Sequence, residues 1–240
     1  MTRILLVRGM LAGLVAGLFV FALARWIGEP QVNRAIAFET AMDQAKGEPP
    51  EPEIVSRKIQ SSLGLLTASV VDGTSLGGIF ALVFAFAFGR IPVATPRTLS
   101  ALLAALAFVS LAVVPALKYP ANPPSVGRPE TIGMRTAAFF LLIAFSLLAM
   151  VLAVRVERWL HERLGGWNAS AVAGVIFVVV IFLASRLLPD INEVPVGFPV
   201  TVLWKFRVAA MEMQLLLWSV LGFFFGWLAE KSLQAQRLHT

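Results

Sequence analysis

The sequence predicts an all-α, polytopic integral membrane protein with six transmembrane helices arranged as three hairpins. Three observations carry this. Of 240 residues, 58% are hydrophobic and only 14% charged, with a mean hydropathy of +0.80, whereas a soluble domain is nearer a quarter charged. Six apolar runs reach the roughly 20 residues that a helix needs to cross a bilayer core. The charged side chains and most of the prolines collect between those runs.

The runs form one transmembrane domain, with spans at about Ile4–Trp26, Ser62–Phe88, Leu99–Leu117, Thr136–Val156, Ala169–Leu188 and Val208–Ala229. The first follows Arg3 and Arg8 and ends in Ala22-Leu23-Ala24, which imitates a signal peptide with its cleavage site. Its apolar run exceeds the usual 7–15 residues of a signal core. Gly9, Gly13 and Gly17 recur every four residues and stack on one face, as close helix packing requires. Both features predict a retained span. The second run is interrupted by Asp72 and several glycines, so it is a candidate for tilting or breaking. Ala101 and Ala105 in the third run, and Gly222 and Gly226 in the last, are further small-residue contacts. Most of the six tryptophans fall near span ends, as interface anchors do.

An even number of spans places both termini on one side. That side holds Arg3, Arg8, Arg90, Arg97, Arg155, Arg158, Arg163, Lys231 and Arg237 in short segments, and the positive-inside rule makes it the cytoplasm. The opposite loops carry a similar number of basic residues, spread over longer segments and offset by acids. The formal charge of +6 is therefore an orientation signal, and no nucleic-acid partner follows from it. The absence of cysteine excludes disulfides and thiolate metal sites, and two histidines argue against a histidine-built one. His161 lies on a basic inner connection and reads as a surface residue. No nucleophile elbow, zinc-protease helix or P-loop occurs, so no catalytic residues and no resident cofactor are expected.

The three outer loops hold nearly everything unusual. Loop one, about Ile27–Ser61, carries Glu29, Glu39, Asp43, Glu48, Glu51 and Glu53 around "GEPPEPE", and the Pro-Glu composition of its acid-rich part reads as a solvated, flexible segment. Loop three contains "KYPANPP", where prolines 120, 123 and 124 forbid a helix and leave carbonyls without helical partners. With Tyr119 and Asn122, these are oxygen donors suited to hard or borderline divalent cations. The other reading is a proline-stiffened surface turn. Loop five repeats the pattern with Asp190, Asn192 and Glu193 between prolines. Its carboxylates serve either cation capture or ion pairs with Arg186, Lys205 or Arg207. Within the spans, Asp72 in "VVDGTSLGG" and Glu212 in "AAMEMQ" are functional candidates, because an ionisable group at membrane depth needs a reason to be there. Their alternative role is to pair with Arg135, Arg186 or Arg207.

"VPALKYPANPPSVGRPETIGMRT" and "LPDINEVPVGFPVTVLWKFRVA", with "RGMLAGLVAGL" at the start, resemble the CbtA family of predicted cobalt transporter subunits over nearly the whole chain. The resemblance implies a multi-pass protein of the bacterial inner membrane linked to cobalt uptake for cobalamin synthesis. It also implies a small single-span partner, CbtB, with a histidine-rich end; no family binding residues carry across. Cobalt(II) is well served by imidazole, which this chain scarcely has. The histidines therefore come from the partner, or the ion passes largely hydrated between carboxylates and carbonyls. The expectation is a transport subunit admitting a divalent cation, cobalt by resemblance. Asp72, Glu212, Asp190, Asn192, Glu193, Tyr119 and Asn122 are its candidate metal contacts, the bilayer its surroundings, and a homo-oligomer is a possible assembly. The rival is a membrane scaffold or receptor subunit whose outer loops bind another protein. A membrane-embedded hydrolase pairing Asp72 with Glu212 is a distant third.

Overall fold

The computed structural model describes residues 2–47, 54–91 and 95–237, and the described residues form helices and connecting loops without strands. Five helices are long and apolar enough to cross a membrane: α1 (Thr2–Lys46), α2 (Arg57–Ala87), α3 (Pro96–Lys118), α4 (Pro129–Leu187) and α5 (Val200–Gln234).

Helix α1 does not stop where its apolar run does. A π-helical turn at Ala24–Gly28 passes directly into Glu29–Lys46, which ends at Gly47 in the left-handed conformation that glycine adopts without penalty. At 1.5 Å per residue the 45-residue helix is about 68 Å long, roughly twice a bilayer core. The first half of the stretch expected as loop one is thus helical, because "AIAFETAMDQAK" is rich in helix formers and Glu29, Gln31 and Ala35 are buried against neighbours. Glu48, Glu51 and Glu53 lie outside the described residues.

In α3 the π turn Val109–Val113 ends two residues before Pro115. A proline ring clashes with the carbonyl four residues earlier, here Leu111, and the widened turn accommodates it. Helix α4 contains 56 consecutive residues classed as helical, Ile132–Leu187, but Gly165 inside it has φ 73° and ψ 161°. A straight helix of that length would separate its ends by about 84 Å. Instead Glu193, just beyond the C-terminal end, accepts a hydrogen bond from the Arg128 N–H just before the N-terminal end. The chain therefore reverses at Gly165, in backbone geometry that is essentially restricted to glycine. Helix α5 begins at Val200, two turns before the expected Val208, with Pro199 as its cap.

The chain divides into two compact units, one of Met1–Phe108, Pro123–Ser125 and Phe198–Thr240, the other of Val109–Asn122 and Val126–Gly197. In the first, α1 and α2 run antiparallel with their glycines face to face. A Cβ at Gly9, Gly13 or Gly17 would collide with the backbone carbonyls of Gly77, Gly73 and Ser69, and side chains at Gly73 and Gly77 would strike α1 in return. The four-residue glycine spacing is thus matched by a second ladder in α2. Phe84 and Phe225 meet edge to face at 5.2 Å, and Phe80 joins Phe225 at 5.5 Å. On α5 the π turn Leu221–Phe225 frees the Gly222 carbonyl, which accepts a 2.8 Å bond from the fully buried Ser100 hydroxyl. Gly222 and Gly226 lie against Ala104 and Ser100 of α3.

The first unit has a basic end and a loop end. At the basic end Arg97 pairs with Glu230, and Arg8 donates to the Leu228 carbonyl. At the loop end Glu29, itself buried, pairs with Arg57, which also donates to Asn33 at 3.1 Å. There the helical continuation of α1 is a platform: the Ser125 hydroxyl donates to the Ala35 carbonyl at 3.0 Å, and Phe38 packs edge to face on Phe198 at 5.0 Å.

Candidate functional site

In the second unit, loops three and five clasp each other. Lys118, in the last turn of α3, places its ammonium 2.6 Å from Asp190 Oδ1. The next residue, Tyr119, donates its phenol proton to the Pro189 carbonyl at 2.7 Å. Opposite them Glu193 accepts from the Arg128 N–H at 2.8 Å, with Arg135 Nε 3.6 Å from the same oxygen. The Arg135 guanidinium lies over Gly127, whose φ of 127° and missing side chain leave it room. Proline placement explains the local shape: Pro120, Pro189 and Pro195 have no N–H to donate, and the Pro189 carbonyl is met by the Tyr119 phenol.

The electrostatics follow from these partners. The hydrogen-bonded Lys118 ammonium, with Arg186 nearby, holds the Asp190 carboxyl below the usual carboxylate range. The Thr131 hydroxyl, the Arg128 N–H and the Arg135 charge hold Glu193 down as well. Burial pushes the Tyr119 phenol up, so it stays protonated and remains a donor. The direct partners of Asp190 and Glu193 are thus Lys118, Arg128 and Arg135; of the alternatives Arg186, Lys205 and Arg207, Arg186 acts on Asp190 through its charge.

Asn122 and Asn192 are exposed on the two facing loops. Asp190 is almost fully exposed apart from its contact with Lys118. Among the described residues, no three His, Asp or Glu side chains gather as a metal cage would need. The donor set of one open carboxylate, two amides and proline-bounded carbonyls suits a hydrated hard cation held loosely.

Asp72 and Glu212 belong to the first unit, and no contact joins them. Asp72 is the midpoint of the 31-residue helix α2, and Glu212 is about 18 Å along α5 from Val200. Both side chains are exposed, and neither forms an ion pair with another described residue. A lone acid on an outward face at that depth costs about 2.5–3.5 kcal/mol on insertion scales. Asp72 opens onto a shallow groove along α2 lined by Leu63, Gly64, Thr67, Ala68, Val71 and Ser75. The buried Glu29–Arg57 pair escaped sequence reasoning because its residues look like ordinary loop charges. The one signal was that an acid, an amide and a base, Glu29, Asn33 and Arg57, flank the loop at both ends.

A family model described as "Probable cobalt transporter subunit (CbtA)" matches residues 2–230 of the chain. No curated protein and no solved structure matches it.

Proposed function

The chain belongs to the CbtA family of probable cobalt transporter subunits, and from that premise we propose that it is the inner-membrane subunit that admits a divalent cation, cobalt, for cobalamin synthesis. The observation that carries this reading is the clasp of loops three and five, which gathers oxygen donors and an open carboxylate at one end of the helices. In this reading α4 crosses the membrane twice around Gly165, giving six spans, with both termini cytoplasmic and the clasp outside. The family description as a subunit calls for a partner, which we take to be a CbtB-like single-span protein supplying imidazole that this chain lacks.

The cation meets Asp190, Asn192, Glu193, Tyr119 and Asn122 at the clasp, where it competes with Lys118 and the arginines for the carboxylates. Its hydration shell exchanges for carbonyl and amide oxygens without a deep cage, which favours release as much as capture. Asp72 and Glu212 are the charged stations at membrane depth. Tracer cobalt accumulation in cells carrying Asp72→Ala together with Glu212→Ala tests this: uptake should fall to background, and unchanged uptake would remove both residues from the path.

A second reading has its own support. The clasp carboxylates are already paired within the chain, as expected if the loops are a rigid platform for another protein. Cobalt accumulation that survives loss of this chain while partner assembly fails would favour that scaffold role.

A further inference from the structure

Helix α2 has two opposite faces with different commitments. Gly73 and Gly77 are buried against α1. At 3.6 residues per turn, Gly64, Ala68, Asp72 and Ser75 fall on the other side, where all four are exposed and line a concave groove. Elsewhere the outward positions of this helix carry bulky apolar residues suited to lipid, such as Ile79, Val83 and Phe86. Around Asp72 the exposed Leu63 and Val71 flank a strip of small and hydroxyl side chains, Gly64, Thr67, Ala68 and Ser75, which present little surface to acyl chains and let another backbone approach. The Ser75 hydroxyl is already spent on the Val71 carbonyl within the helix, so nothing along the groove answers the carboxylate.

We propose that this groove is the docking site for a membrane-spanning helix of a second, different subunit, carrying a cation or hydrogen-bond donor at the depth of Asp72. The inference rests on the reading of the chain as a membrane-spanning transport subunit and names the surface its partner occupies. Charge decides the occupant. A second copy of this chain docked face to face would set Asp72 against Asp72, two like charges at membrane depth, whereas a helix with a basic or amide side chain pairs with the acid and yields it to an arriving cation. Small residues at Gly64 and Ala68, one turn apart, bring that helix near enough for a direct bond.

The test places a photoreactive residue at Ala68 in the full chain, expressed in its own membrane with its natural companions. A control carries it at Leu11, an exposed apolar position on α1. The expected result is one dominant polypeptide adduct at Ala68 and lipid adducts at Leu11. The cross-linked peptide should lie in an apolar segment with a Lys, Arg, His or amide side chain within one turn. Asp72→Leu, which keeps the helix apolar and folded, should cut that adduct roughly fivefold to thirtyfold, and Asp72→Asn by less. An adduct with a second copy of this chain, lipid adducts alone at Ala68, or a polypeptide adduct indifferent to Asp72→Leu would each overturn the proposal. Tracer cobalt uptake, measured separately, distinguishes failure of docking from failure of the transport reading.

Discussion

Replacing Gly13 by alanine adds one methyl group at the centre of the α1–α2 contact, where a Cβ would collide with the backbone carbonyl of Gly73 and press on the Cα of Gly77. Backbone cannot rotate aside as a side chain can, so the two helices must part by about an ångström along a ladder that continues through Gly9 and Gly17. Overpacking of this kind costs about 1–3 kcal/mol. Alanine's better helix propensity returns up to about 1 kcal/mol of that. With that return the net expectation is a loss of up to about 2 kcal/mol. Gly174→Ala is the matched control: it lies in α4 with nothing within 4 Å of the added carbon, so it should be neutral or stabilising by about 0.4–1 kcal/mol. Reversible unfolding by SDS titration in mixed micelles reads both. Equal effects for the two substitutions would refute the claim that the glycine ladder sets the α1–α2 distance.

Arg57→Met strands the buried Glu29 carboxylate and should destabilise the loop end by about 3–5 kcal/mol, while adding Glu29→Gln should recover much of it; a double-mutant cycle by the same titration checks the coupling. Gly165→Ala forces a side chain into φ 73°, ψ 161° and should cost about 1–3 kcal/mol, with cysteines placed in the two halves of α4 losing their cross-link. The clasp carboxylates have depressed values when folded, so their contribution is complete above the ordinary carboxylate range, about pH 4 to 4.5, and is lost as pH falls through the depressed values. Spin labels at the exposed Leu117 and Val196 should therefore hold their separation from pH 8 to about 4 and spread apart below it.

The features legible in the sequence were those with a strict period or a strict stereochemical rule. Gly9, Gly13 and Gly17 announced a close contact because only a four-residue spacing keeps them on one face, and prolines 120, 123 and 124 announced a non-helical loop because they lack donors. Partner identity was less legible. Asp190 pairs with Lys118 rather than Lys205 because the pairing depends on which helix ends the reversal at Gly165 brings together, and a single glycine in a long apolar stretch does not advertise its φ. The helical extension of α1 past Trp26 was masked by Pro30, which reads as a breaker but is accommodated by the π turn Ala24–Gly28 just before it. The outward aim of Asp72 was implicit in its position one residue before Gly73, yet it needed the identity of the packed face to become visible.

The central claim is that this chain is the cation-admitting subunit of a cobalt uptake system. Its most direct test is initial-rate tracer cobalt uptake in cells deleted for this chain, then supplied with the wild-type chain together with its partner subunit. Uptake should vanish on deletion, return with the wild-type chain, and remain absent with the Asp72→Ala, Glu212→Ala double variant. Uptake that persists at the wild-type rate in the deleted cells would contradict the account.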